Sequence, residues 1–143
     1  MNRFLFLLLT FIVLVPLSVN AQCKKFVKNN CLPDLEPYIY NGQLNSAVFQ
    51  EGDIAEVYLT FYSGQENRLL ICSQEILGNV EFRVLDLDGN VLFHNKDHDF
   101  VKFWDFSSNT TQQLSVQVKI PQGESVGGMV QSGCIAILVG FKE

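Results

Sequence analysis

Four cysteines behind an export signal constrain this chain most, because they imply covalent staples between segments far apart in sequence. Cys23, Cys31, Cys72 and Cys134 follow an apolar run, Phe4 to Val15, that only Thr10 interrupts and Arg3 precedes. That pattern is the core of a signal peptide, and Val19-Asn20-Ala21 places small residues where a signal peptidase reads, so cleavage is expected after Ala21. A membrane-spanning helix needs about 20 apolar residues, so the run is too short for an anchor. Gln22, not a small residue, precedes Cys23, which argues against lipidation there. The mature chain is expected to be secreted or periplasmic, with no membrane contact after signal cleavage.

An even number of cysteines in an oxidising compartment means disulfides first. Spacing favours Cys23–Cys31 and Cys72–Cys134, the second pair joining two apolar strands. A helix unbroken from Cys23 to Cys31 would hold their Cα atoms about 12 Å apart, against a tolerance of about 7 Å. The first pairing therefore requires the helix to end before Cys31. No C-x-x-C spacing occurs, which sets zinc aside.

With residues 1–21 removed, residues 22–52 form a disulfide-bounded helix and extended segment and residues 53–143 a β-sandwich, together one compact domain. Nine basic against fifteen acidic residues give the mature chain a formal charge of −6, which excludes a broad nucleic-acid surface. Lys24, Lys25 and Lys28 read as the solvated face of the short helix. Ala55, Val57, Leu59 and Phe61 alternate with polar and tyrosine positions, and Leu114, Val116, Val118 and Ile120 alternate in the same way, so each run is a half-buried strand. Residues 68–73 and 134–141 are apolar on both faces, as central strands are. The turn 63–66 is expected to pair strand 55–62 with strand 68–73. Residues 32–53 read as an irregular wrap, and Gln122 to Gly133 as a loop. Asn79 to Asn95 reads as a hairpin with a type I′ turn at Asp88-Gly89-Asn90, Val80, Phe82 and Val84 on one face and Val91 and Phe93 repeating the pattern. The fold class is all-β: an antiparallel two-sheet, jelly-roll-like sandwich with a short N-terminal helix.

Phe61-Tyr62-Ser63-Gly64-Gln65, then VEFRVLDLDGNVLF, KFWDF and a closing SGCIAILVGF, together resemble the bacterial pre-peptidase C-terminal domain over residues 53–143. The chain is also similar to short free-standing secreted bacterial proteins. The resemblance implies a sandwich that aids secretion or binds polymers, and it carries over no functional residue.

Candidate chemistry is sparse. Asp86-Leu87-Asp88-Gly89-Asn90 opens like a calcium loop, but its glycine stands at position four and Asp97 at position twelve, where an EF-hand needs glycine at six and glutamate at twelve. His94 and His98, beside Asp97 and Asp99, lack helical i,i+4 spacing, and no nucleophile elbow or phosphate loop is present. No catalytic residue, metal or cofactor is expected. Tyr58 and Tyr62 face outward from their strand, and with Trp104 they form the candidate binding patch for a surface polymer or a partner protein. A small hydrolase using His94 and His98 with the neighbouring aspartates, or a purely structural envelope protein, are the alternatives.

Overall fold

The computed structural model describes residues 19–123 and 126–143, so the apolar run of the export signal lies outside the described residues. Among those described, the chain runs through helix α1 (Val19–Phe26), a π turn (Val27–Cys31) and a 3-10 turn (Leu32–Leu35). Nine strands follow: β1 (Ile39–Tyr40), β2 (Asn45–Gln50), β3 (Ile54–Phe61), β4 (Glu66–Ser73), β5 (Glu81–Leu85), β6 (Val91–His94), β7 (Phe103–Ser107), β8 (Gln112–Lys119) and β9 (Ser132–Lys142). Neighbouring strands are antiparallel throughout, in two sheets. β1 and β2 both pair with β9, which pairs with β4 and then β7, and the second sheet runs β3-β8-β5-β6. The expected two-sheet sandwich is what the chain forms.

Period-two alternation sorts the side chains. Leu59, Phe61, Phe82, Val84, Leu114, Val116 and Val118 from the four-stranded sheet meet Leu69, Ile71, Ile135, Ile137 and Val139 from the five-stranded sheet in one buried core. Leu70, Cys72, Ala136 and Leu138 point the other way, to the outer face of the five-stranded sheet. There they pack against Val27, Cys31 and Leu35 of the N-terminal segment. β4 and β9 are therefore apolar on both faces because each is covered on both faces. Gly140 makes the close approach possible, since a Cβ there would stand 2.7 Å from Tyr38 Cβ.

The disulfides join this cap to the sheet and differ from the expected pairs. Cys23 bonds Cys134 and Cys31 bonds Cys72, with Cα separations of 5.5 and 5.7 Å. The helical path continues through Cys31, and that is why Cys23–Cys31 is excluded: the distance argument stands, but the helix does not end where that pairing required. Cys72 lies opposite Ala136, so Cys134 is its diagonal neighbour and not its direct one. Each of these cysteines instead reaches up into the segment above the sheet. Both bridges are of the kind that persists in oxidising compartments.

Four local expectations also change. Residues 63–66 arch between the sheets, so β3 pairs with β8 and β4 with β9 and β7. Gly64, at φ +79°, turns the chain, and its N–H donates to Ser108 O at 3.0 Å. The 32–53 segment contributes β1 and β2, because backbone pairing to β9 compensates for its weak apolar pattern. The β5–β6 connection is a longer loop than a type I′ turn: only Gly89 takes positive φ, and the Asp86 carboxylate accepts from Asp88 N, Asn90 N and Asn90 Nδ2. A bulge between Val84 and Leu85 then sets Phe93 opposite Val84, facing the core, and Val91 opposite Leu85, facing solvent.

Candidate binding face

The two outer faces of the sandwich are unequal. The five-stranded sheet carries the stapled N-terminal segment, which Arg68 also fastens: its guanidinium is bidentate to Asp105 at 2.7 Å on both arms and donates to Asp34 O and Glu36 O. The same guanidinium lies between the Tyr38 and Phe103 rings, 4.6 and 4.3 Å from their centroids. The four-stranded sheet has no such cover among the described residues.

Strand register assembles the uncovered face row by row. Tyr58 lies opposite Ser115, which lies opposite Leu85 and then Val91. The adjacent row runs Glu56, Gln117, Arg83, His94, and the next Ile54, Lys119, Glu81. Ile54 is 71% exposed, Tyr58 54%, Tyr62 60% and Val91 51%, so large apolar groups stand in solvent at both margins of the sheet. Several polar groups in the rows between them bond to one another. Glu56 accepts from Ser115 Oγ and from Gln117 Nε2, and Arg83 donates to Gln117 Oε1 at 2.8 Å. The Ser115 bond, then the Gln117 bond, hold the Glu56 carboxyl below its usual value of 4.5. His94 Nε2 lies 2.9 Å from Glu81 Oε1. Burial pushes the Glu81 carboxyl up, but the His94 hydrogen bond and the electrostatic influence of His94, Lys96 and Lys119 outweigh it, and the net shift is downward.

Of the three candidate patch residues, Tyr58 and Tyr62 are exposed on or just beyond β3. Trp104 is elsewhere. It faces inward from β7, half-buried, stacked on Phe93 at 5.4 Å and on Phe106 at 4.1 Å, and so closes the sandwich between β6 and β7, at the opposite edge from β3. Ile54 and Val91 were not singled out from the sequence. Ile54 precedes the alternation used to place β3, and the bulge that turns Val91 outward has no sequence signature.

The histidines have separate surroundings. His94 sits on the outer face with Glu81, and its Nδ1 lies 3.8 Å from Asp97 Oδ2, whereas His98 stacks flat on Phe93 at 5.0 Å. Among the described residues, no three His, Cys, Asp or Glu gather closely enough to hold a metal ion, and no helix is long and apolar enough to cross a membrane.

No family model matches the chain, and no curated protein matches its sequence. Among solved structures it is similar to PliG of Aeromonas hydrophila, a periplasmic lysozyme inhibitor of g-type lysozyme, at 15% identity over 75% of this chain and 90% of that one, with a TM-score of 0.49. It is also similar to PliG of Salmonella Typhimurium, likewise a periplasmic inhibitor of g-type lysozyme, at 11% identity over 70% of this chain and 86% of that one, with a TM-score of 0.40.

Proposed function

We propose that this chain is an exported, non-enzymatic binding protein whose uncovered four-stranded face docks a partner protein, with Tyr58 and Tyr62 as anchors. The observation that carries the reading is the asymmetry of the sandwich. One outer face is covered and doubly stapled, while the other leaves Ile54, Tyr58 and Val91 in solvent. The four strands, of eight, eight, five and four residues at about 3.4 Å each and about 4.8 Å apart, span roughly 400 Å². That is about half of the roughly 800 Å² each partner contributes to a standard interface. A face of this extent suits a protein surface better than a single sugar. Glu56, Glu81 and Arg83 already have hydrogen-bond partners on the face, and tyrosines supply apolar area with a polar edge.

The test compares oxidised wild-type protein with Tyr58→Ala/Tyr62→Ala by calorimetric titration against a panel of purified secreted proteins. A g-type lysozyme, the target of the two similar inhibitors, belongs in that panel. Wild type is expected to bind one member, and the double variant to bind it at least about 30-fold more weakly, as loss of anchor residues does. Its melting temperature should stay unchanged. Equal affinity in the variant, or a variant that unfolds, would overturn the proposal.

A further inference from the structure

A sandwich must fill the space between its sheets at both open edges. At the β6–β7 edge Phe93, Trp104 and Phe106 form a continuous aromatic plug. The β2–β3 edge is built differently. Asn45, Ala47 and Phe49 of β2 lie opposite Ile137, Ile135 and Gly133 of β9, so they share the inward face of the five-stranded sheet. Ala55 and Val57 face inward from β3. Two alanines thus occupy positions where the other edge has large rings, and Ala47 is exposed although its side chain points between the sheets. The result is an open cleft of about 360 Å³ that reaches Ile135 and Ile137 in the core.

We infer that this cleft binds a single-chain aliphatic amphiphile with an uncharged headgroup, whose chain supplies the core volume that Ala47 and Ala55 leave out. The volume sets the chain length. A cavity of about 150 Å³ accommodates one benzene, so 360 Å³ matches roughly a dozen carbons. The walls are mainly aliphatic, Asn45 brings its amide to the inward face of β2, and the charged Glu56 is also among the lining residues. Charge selects the headgroup: among the described residues no lysine or arginine lines the cleft, while the Glu56 carboxylate does and is already held by Ser115 and Gln117, so a carboxylate headgroup would meet a like charge and find no counter-charge. The Asn45 amide satisfies an alcohol or a glyceryl ester instead.

The probe is the neutral dye N-phenyl-1-naphthylamine, titrated into the secreted, oxidised protein. Saturable one-site enhancement is expected, displaced by 1-dodecanol and not by dodecanoate at equal concentration. Ala47→Leu and Ala55→Leu should each weaken dye binding by at least about tenfold, because the added methylenes occupy the chain's space, while the melting temperature holds or rises. Tyr58→Ala/Tyr62→Ala should bind the dye as wild type does, which separates this site from the sheet face. Absence of saturable binding, binding that neither leucine variant weakens, or equal displacement by dodecanoate would overturn the inference. So would a dimer in light scattering that Ala47→Leu dissociates and that excludes the dye, since the cleft would then be an interface between copies.

Discussion

Asn95 should prove among the most sensitive polar positions in the fold. It follows β6 directly and is 1% exposed. Its Oδ1 accepts from Phe82 N at 2.8 Å, and its Nδ2 donates to Val80 O at 3.0 Å and Val101 O at 3.2 Å. The amide therefore stands in for a strand residue at the start of β5 and ties the crossover toward β7 to it. Asn95→Leu keeps the size and strands three backbone groups. A stranded buried group costs about 1–3 kcal/mol, so the three together should cost roughly 3–9 kcal/mol, a large share of the 5–15 kcal/mol typical of a domain. Asn95→Ala should cost less, because water can enter from the adjoining cavity of about 40 Å³ and bond the freed groups. Asn95→Asp keeps the acceptor but sets a carboxyl against two carbonyl oxygens, which raises its folded pKa above the unfolded value. Its stability is then present at acid pH and lost as pH rises toward the folded pKa, so the deficit against wild type should widen from about pH 4 to pH 7. Urea unfolding with an unchanged m-value is the assay. A loss below about 1 kcal/mol for Asn95→Leu would refute the reasoning, as it would show the three groups satisfied some other way.

Peptide mapping of the oxidised protein should find Cys23–Cys134 and Cys31–Cys72. Opening the first, whose ends are 111 positions apart, should destabilise by about 5 kcal/mol and the second, 41 apart, by about 4 kcal/mol on the chain-entropy model, so the reverse order in denaturant titrations would count against that account. Arg68→Lys should lose most of what Arg68→Ala loses, about 2 kcal/mol, because an ammonium offers neither the bidentate fork to Asp105 nor a plane between Tyr38 and Phe103; full rescue by lysine would deny the fork its role. The Asp86 carboxyl is held below its usual 3.8, first by the Asn90 side chain and then by backbone N–H groups. A depressed pKa contributes stability above the unfolded value that disappears as pH falls through the folded one. Asp86→Asn should therefore flatten the acid limb of the stability curve below about pH 4, and an unchanged limb would contradict the assignment.

The layers of this fold are readable in the sequence because burial on one face of a strand leaves a period of two. Leu59 and Phe61, or Leu114, Val116 and Val118, announce their strands and their direction without help. What sequence leaves open is which strands become neighbours. The 63–66 segment carries ordinary turn residues whether it closes a hairpin or arches between sheets, and Gly64 serves either. Disulfide pairing depended on the same unknown: Cys72 and Cys134 belong to adjacent strands, but both face a segment whose docking no local pattern records. β2 was hidden by its composition, since Asn45 and Ser46 look like loop residues until β9 pairs with them. For the site, Tyr58 and Tyr62 were legible as outward residues from alternation alone. Trp104 was not, because its direction depends on Phe103 being drawn outward over Arg68.

The most direct test of the account is hydroxyl-radical footprinting of the protein alone and bound to its partner from the calorimetric panel. Tyr58, Tyr62 and Ile54 are expected to lose reactivity on binding, while Phe103 and Ile39 of the five-stranded sheet keep theirs. Protection of Ile39 and Phe103 with Tyr58 and Tyr62 unchanged would place the partner on the stapled sheet and contradict the assignment of the uncovered sheet as the binding face.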